Sequence, residues 1–171
     1  IPHMIYKTKD MRILKNINMA TRSRIGKKLE DGTIKSIYCH WDGYIVGGVG
    51  ETLVTHYSKI EKIEELLALG DISVLTGEVY PTGEHSFDKP ESGVTIAYGR
   101  DRGETDIDAK IVSMDEWNSV FYSSGSDFYY LYAEGEWRVK NLNKRNGWEF
   151  VKKYLPEYAH SLTNKDYACN I

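Results

Sequence analysis

The chain has 171 residues, of which 41% are hydrophobic and 27% charged, as in a globular protein rather than a disordered one. No apolar run approaches the roughly 18 residues needed to span a membrane, and there is no secretory signal pattern. The two cysteines, Cys39 and Cys169, are too few for a disulfide framework or a four-cysteine zinc site. These features predict a soluble domain in the reducing cytoplasm, with no membrane partner.

The net charge of −3 hides an uneven distribution of charge along the chain. Residues 5–40 contain nine Lys and Arg against three Asp and Glu, residues 41–136 contain six against nineteen, and residues 137–171 contain seven against three. Two interpretations are open. Either the basic ends fold back and neutralise the acidic middle, or the acidic residues form a face that selects a basic partner.

Both ends of the sequence are predicted to lie outside the folded domain. Residues 1–4, Ile-Pro-His-Met, are interpreted as a cloning remnant, and residues 5–18 as a flexible N-terminal arm, because they lack periodicity. A single α+β domain is placed at residues 19–163, followed by a C-terminal tail at residues 164–171.

The first predicted element is a β-hairpin over residues 21–40. Asp31-Gly32 separates two alternating stretches, and a two-residue turn there pairs Ile25 with Tyr38. This register predicts a buried face made of Ile25, Leu29, Ile34 and Tyr38. The opposite face is predicted to be basic and to carry Arg22, Arg24, Lys28 and Lys35, with Trp41 at its end.

Helices and short strands are predicted to follow. Helices are expected over residues 49–57, from a capping box at residues 58–61 to Gly70, and after a second capping box at residues 113–116. Strands are expected over residues 72–75, 94–98 and 107–112, and a second hairpin around Glu134-Gly135. Asn146 is predicted to cap a final helix that Pro156 ends.

These elements do not alternate regularly as βαβ units, which argues against a parallel doubly wound sheet. The predicted fold is therefore α+β, with a mostly antiparallel sheet built from hairpins and three to four short helices.

Three predicted loops, at residues 40–44, 84–88 and 99–104, carry the candidate functional residues. If the loops converge, they bring imidazoles, carboxylates and guanidiniums to one site. The candidates for catalysis are His40, His85 and Asp101. The candidates for binding a divalent metal are His40, Asp42, His85 and Asp88. The candidates for binding a partner or a phosphate group are Arg22, Arg24, Trp41, Arg100 and Arg102.

Each of these groups also has a structural interpretation. A histidine at the end of a strand is often a hydrogen-bonded structural residue, and the Arg-Asp-Arg turn at residues 100–102 is equally consistent with a local salt-bridge cluster. The sequence contains no HExxH or paired CxxC spacing, no Walker loop and no Gly-x-Ser-x-Gly elbow. A divalent metal ion is the one cofactor that the sequence leaves open.

Several segments of the chain carry a resemblance to a known group of proteins. They are Ala-Thr-Arg-Ser-Arg-Ile-Gly at residues 20–26, His-Trp-Asp-Gly-Tyr at 40–44, Glu-His-Ser-Phe at 84–87 and Tyr-Gly-Arg-Asp-Arg-Gly-Glu at 98–104. Over about residues 20–140 the chain resembles a family of small accessory proteins of bacteriophages and prophages. The resemblance implies action on a host cell, including inhibition of CRISPR nucleases or nucleotide-signalling defences, and assigns no catalytic residue.

Two functions follow as expectations. The first is a non-enzymatic, phage-type host-interaction protein in the host cytoplasm, an anti-CRISPR-like inhibitor whose partner is a host protein in a nucleic-acid-processing defence complex. Its acidic surface would imitate the charge of phosphate. The alternative is a small metal-dependent phosphodiesterase, a nuclease or a nucleotide-binding protein that uses His40, His85 and residues 100–104 on nucleic acid or a nucleotide.

Overall fold

A computed structural model describes residues 20–121 and 123–158 of this protein. The interpreted cloning remnant, the N-terminal arm and the C-terminal tail with Cys169 lie outside the described residues.

Eight strands and four α-helices are present among the described residues. The strands are β1 (Ser23–Lys28), β2 (Ile34–Cys39), β3 (Ile72–Val74), β4 (Ile96–Ala97), β5 (Lys110–Val112), β6 (Phe128–Ala133), β7 (Glu136–Asn141) and β8 (Glu149–Phe150). The helices are α1 (Val49–His56), α2 (Ile60–Ala68), α3 (Tyr98–Arg102) and α4 (Met114–Ser119), and short 3-10 turns follow at Val151–Tyr154 and Pro156–Tyr158. In this part of the chain, no helix has the length and apolar character needed to cross a membrane.

All eight strands belong to one mixed sheet. The strand order is β4-β3-β2-β1-β6-β7-β8, and β5 pairs with β2 beside β3 on the same edge. The hairpin pairings are antiparallel, whereas β1 pairs with β6 and β2 pairs with β3 in parallel. The α+β prediction is confirmed, although the sheet is mixed rather than purely antiparallel.

The register of the first hairpin differs from the prediction by one residue. Ile25 lies opposite Ile37 rather than Tyr38, because residues 30–32 form a three-residue turn. The Asp31 carboxylate accepts hydrogen bonds from the Thr33 amide at 2.9 Å and from the Thr33 hydroxyl at 2.6 Å. These bonds stabilise the wider turn, in which Gly32 has a φ of +84°.

This one-residue shift divides both predicted faces of the hairpin. Ile25 and Ile34 are fully buried, as predicted, but on opposite sides of the sheet. Leu29 and Tyr38 are only half-buried, which corrects the predicted core face. The predicted basic face is divided too, since Lys35 points to the opposite side from Arg24 and Lys28.

The alternation was ambiguous because the sheet buries a hydrophobic cluster on each side. The larger cluster lies under α1 and α2 and includes Ile25, Ile37, Leu53, Leu66 and Tyr130. The smaller one lies under α4 and consists of Ile34, Trp117, Phe121, Tyr129, Leu131 and Ala133. When both faces of a strand are buried, alternation no longer identifies a single core side.

The predictions for the other elements were met unevenly. The second hairpin is confirmed, since Glu134 and Gly135 both have positive φ and join β6 to β7 through a two-residue turn. The second capping box is also confirmed, because the Ser113 hydroxyl accepts a hydrogen bond from the Glu116 amide at 3.1 Å.

Two capping predictions were wrong. The residue that precedes α2 is Lys59, which makes no side-chain capping bond, so the box at residues 58–61 does not form. The final helix is replaced by β8 and the 3-10 turns, and the Asn146 side-chain amide donates to Glu149 instead.

Candidate functional site

Three of the candidate residues meet in a buried network. His85 lies in the long loop between β3 and β4, whereas Arg100 and Asp101 lie on α3, directly after β4. His85 Nε2 is 3.0 Å from Asp101 Oδ2, and these two side chains are 2% and 3% exposed. Arg100 Nε donates to Asp101 Oδ1 at 2.7 Å. The structure therefore brings the second and third predicted loops together.

The local sequence explains why Asp101 points inward. The Ala97 amide, at the end of β4, donates to Asp101 Oδ2 at 2.7 Å and so fixes the carboxylate against the start of α3. Gly103 ends the helix in the left-handed conformation, with φ of 72°. The single turn of α3 therefore places the Asp101 carboxylate against the end of β4.

The imidazole ring of His85 has both nitrogens engaged. Nδ1 accepts a hydrogen bond from the Glu91 amide at 3.0 Å, so Nε2 carries the proton and donates to Asp101. A general base needs a free lone pair within hydrogen-bond reach of its substrate. This arrangement ties the long loop to α3 and leaves the ring no lone pair for proton transfer.

Asp101 is held in its ionised form. Burial acts to raise the pKa of this carboxyl, but hydrogen bonds from Arg100, the Ala97 amide and His85 outweigh burial and lower the pKa to about 2. Asp101 therefore has no proton to donate at neutral pH.

The Arg100 guanidinium spans the base of the long loop. Besides Asp101, it donates to the carbonyl oxygens of Val79 at 2.5 Å and Thr95 at 2.6 Å. These bonds occupy most of the guanidinium N–H donors that would bind a phosphate group in a bidentate way. The local salt-bridge interpretation of this turn therefore agrees with the contacts of Arg100.

Arg102 lies against two aromatic rings that the sequence analysis did not connect with it. Its guanidinium carbon is 4.2 Å from the ring centroid of Phe87 and 4.9 Å from that of Tyr98. The two rings are stacked, with centroids 5.7 Å apart. Arg102 also forms an ion pair with Glu104. The sequence signal for this contact was the Glu-His-Ser-Phe segment, because it places Phe87 two residues after the buried His85.

His40 belongs to a separate group of contacts at the end of β2. The Tyr38 hydroxyl is 2.8 Å from His40 Nδ1, and the exposed Trp41 ring lies edge-to-face against the imidazole at 4.7 Å. Burial, followed by the positive charge of Arg22, lowers the pKa of His40. None of the described contacts joins His40 to His85.

The remaining candidates lie apart from the buried network. Arg24 donates to the Ser36 hydroxyl at 3.0 Å, and Asp42 accepts a hydrogen bond from the Tyr44 hydroxyl at 3.0 Å. Asp88 is exposed in the long loop. Within residues 20–121 and 123–158, no three His, Cys, Asp or Glu side chains are placed to hold a metal ion.

The basic ends of the chain partly neutralise the acidic middle. Glu64 of α2 forms ion pairs with Lys27 and Lys35 of the first hairpin, and Lys152 lies 2.6 Å from Glu136. Several exposed carboxylates take part in none of the ion pairs found in the described part of the chain, and among them are Glu61, Glu65, Asp106 and Asp108. The neutralisation interpretation of the charge pattern is therefore confirmed in part, and the acidic face that selects a basic partner stays a prediction.

Comparison with known proteins adds no relative. No protein-family model matches the sequence, and no curated protein or solved structure matches it either. The geometry of this site and the charge of the surface therefore carry the functional proposal.

Proposed function

We propose that this protein is a non-enzymatic, phage-type host-interaction protein. Its target is a nucleic-acid-processing defence nuclease, which it inhibits by occupying the groove that binds DNA or RNA. The observation that carries this proposal is the engagement of both His85 nitrogens, because the alternative hydrolytic function depends on a free imidazole beside Asp101. A protein that acts by binding needs no such group.

An acidic surface on α2 supplies the charge that a basic groove would contact. Glu61 and Glu65 lie one helical turn apart, and like charges at this spacing repel each other. Asp106 and Asp108 lie beside the end of the same helix, where Ile107 packs against Gly70. A cationic partner would relieve this repulsion, and the resemblance of residues 20–140 to phage proteins supports a nuclease as that partner.

Stoichiometric inhibition of purified nucleases tests this proposal. We expect cleavage by a sensitive defence nuclease to stop at about one equivalent of protein and to recover as salt is raised, because the attraction is electrostatic. The double variant Glu61→Gln/Glu65→Gln should inhibit about tenfold less well, since each exposed pair contributes roughly 0.2–1 kcal/mol.

The matched control removes the same charge from other places. Glu30→Gln/Glu157→Gln changes two exposed carboxylates that lie outside the acidic residues 41–136, and this variant should inhibit like the wild-type protein. Hydrolysis of a nucleotide or nucleic acid by the purified protein, lost in His85→Ala, would overturn the proposal in favour of the enzymatic alternative.

A further inference from the structure

A cleft of about 220 Å³ opens on the side of the sheet that α4 covers. Its floor is formed by neighbouring strands: Arg24 of β1 pairs with Tyr129 of β6, and Ser36 of β2 pairs with Lys110 of β5. Trp117 of α4 lines the wall. The cleft therefore draws its lining from segments far apart in the sequence.

Two hydrogen-bond donors lining this cleft are buried and unpaired. The Tyr129 hydroxyl and the Trp117 indole N–H make no hydrogen bond to any residue that the structure describes, although the two residues are 0% and 1% exposed. The nearby Ser124 hydroxyl donates instead to the Phe121 carbonyl. Burial raises the pKa of Tyr129 against the smaller opposing effects of the Ser124 hydroxyl, which lies near the phenol without a hydrogen bond of good geometry, and of the Arg24 charge, so the phenol keeps its proton. Buried polar groups are rarely left unsatisfied, and both residues line the cleft.

Two cations complete the donor set. The Arg24 guanidinium donates to Ser36 and retains further N–H groups, and Lys110 is exposed at the edge of the cleft. Glu116 also lines the cleft. Burial raises the pKa of the nearby Asp71, and the charges of Arg24 and Lys110 oppose this rise, which places Asp71 close to both cations. Because the two carboxylates offset the two cations, hydrogen bonds rather than net charge would hold an anion here, which suits a single phosphate group better than a polyphosphate.

We propose that this cleft binds a small phosphomonoester. The phosphate group accepts hydrogen bonds from Arg24, Lys110, Tyr129 and Trp117, and the organic part lies along Val112 and Val120. The cleft volume of about 220 Å³ leaves room for an organic part beside the phosphate group. The site lies on the opposite side of the sheet from α2, so it does not depend on the proposed inhibitory function.

The indole N–H signal of Trp117 provides a direct test. The chain has four tryptophans, so a two-dimensional ¹⁵N–¹H spectrum of the full chain contains few indole signals, and Trp117→Phe assigns the relevant one. We expect adenosine 5′-monophosphate to move this signal in a saturable way, inorganic phosphate to move it at higher concentration, and adenosine to leave it unchanged. This order distinguishes a phosphomonoester from free phosphate.

Charge variants test which side chains hold the phosphate. Lys110→Gln, at the edge of a three-residue strand, should fold normally and bind adenosine 5′-monophosphate at least about tenfold more weakly, since it loses a charge-assisted hydrogen bond. Lys28→Gln is the matched control, because Lys28 shares this face of the sheet but lies outside the cleft, and its affinity should equal that of the wild type.

Several results would overturn this inference. They are an unmoved Trp117 signal with both phosphate probes, equal affinity in Lys110→Gln and the wild type, binding of adenosine as tight as that of its monophosphate, and an acetate response as strong as the phosphate response. The last result would identify a carboxylate site instead.

Discussion

The Asp101 carboxylate accepts hydrogen bonds from a strand, a helix and a loop, so its ionisation is coupled to the packing of all three. The Ala97 amide fixes it to β4, Arg100 to α3, and His85 to the long loop. Each donor stabilises the anion, and protonation of the carboxyl would weaken every one of these contacts.

We expect the stabilisation that Asp101 provides to be lost as the pH falls from about 3.8 towards about 2. Its pKa in the folded protein, about 2, lies below the ordinary value of 3.8, so the unfolded chain binds more protons in this window and stability rises with pH. Denaturation curves of the wild type and Asp101→Asn measure this, and the difference in unfolding free energy should shrink towards low pH. Asp88→Asn, an exposed change in the long loop, should follow the wild type. A constant difference across this range would contradict the assignment.

The histidine in the same network should act on stability alone. His85→Ala leaves the Glu91 amide and Asp101 without their partner, and we expect a loss of about 1–3 kcal/mol in unfolding free energy. Glu84→Ala, at the exposed neighbouring position, should change stability by less than about 0.5 kcal/mol. Urea denaturation measures both, and a wild-type unfolding curve for His85→Ala would show that the network is not formed in solution.

At the scale of elements, turn chemistry decides which predictions succeed. Glu134-Gly135 produced the expected two-residue turn, whereas the Asp31 carboxylate bound Thr33 and selected a three-residue turn. That local bond is weak as a sequence signal, yet it shifts a whole strand pairing by one residue. Most element types and the α+β class could therefore be predicted, but the register and the structure of residues 146–155 could not.

The meeting of His85 with Asp101 could be predicted because the two residues lie close together in sequence. His85 and Asp101 flank β4 within a short stretch of chain, so their convergence followed from position. His40 follows β2, which is separated from β4 by β3, and packs with Tyr38 and Trp41 instead. The cleft under α4 could not be predicted, because four strands and one helix line it and the pairing of those strands depends on the fold.

The close approach of α4 to the sheet depends on a residue without a side chain. A Cβ at Gly26 would lie 2.9 Å from Ile34 Cγ2 and 3.0 Å from the Trp117 ring. We therefore expect Gly26→Ala to lose about 1–3 kcal/mol of unfolding free energy through overpacking. Gly147→Ala, where an added Cβ meets nothing within 4 Å, is the control and should be nearly neutral. Urea unfolding followed by tryptophan fluorescence measures both, and equal stability of the two variants would contradict this packing.

At the scale of the whole molecule, β1 is the middle strand of the sheet. It has β2 on one side, β6 on the other, and a hydrophobic cluster on each face of the sheet. By contrast, β4 and β8 are two-residue strands at the ends of the strand order.

Native-state hydrogen exchange should follow this enclosure. We expect the amides of β1 and β6 to exchange only through global unfolding, and those of β8 to exchange through local opening, because regions with few buried contacts open most easily. Exchange measured residue by residue under increasing denaturant would show this order. Faster exchange at Ile25 than at Phe150 would contradict it.

The parallel pairing of β1 with β6 also has a consequence for the chain as it is being synthesised. Arg22 and Asp127, which meet where this pairing begins, are 105 residues apart in sequence. At a synthesis rate of roughly 5–20 residues per second, the first hairpin leaves the ribosome roughly 5–20 s before β6, the other neighbour of β1, has been made. During this interval one edge of β1 presents unpaired amides and carbonyls, which are a template for association with other chains. Early capture by a chaperone would therefore matter more for this nascent chain than for one whose neighbouring strands are made consecutively.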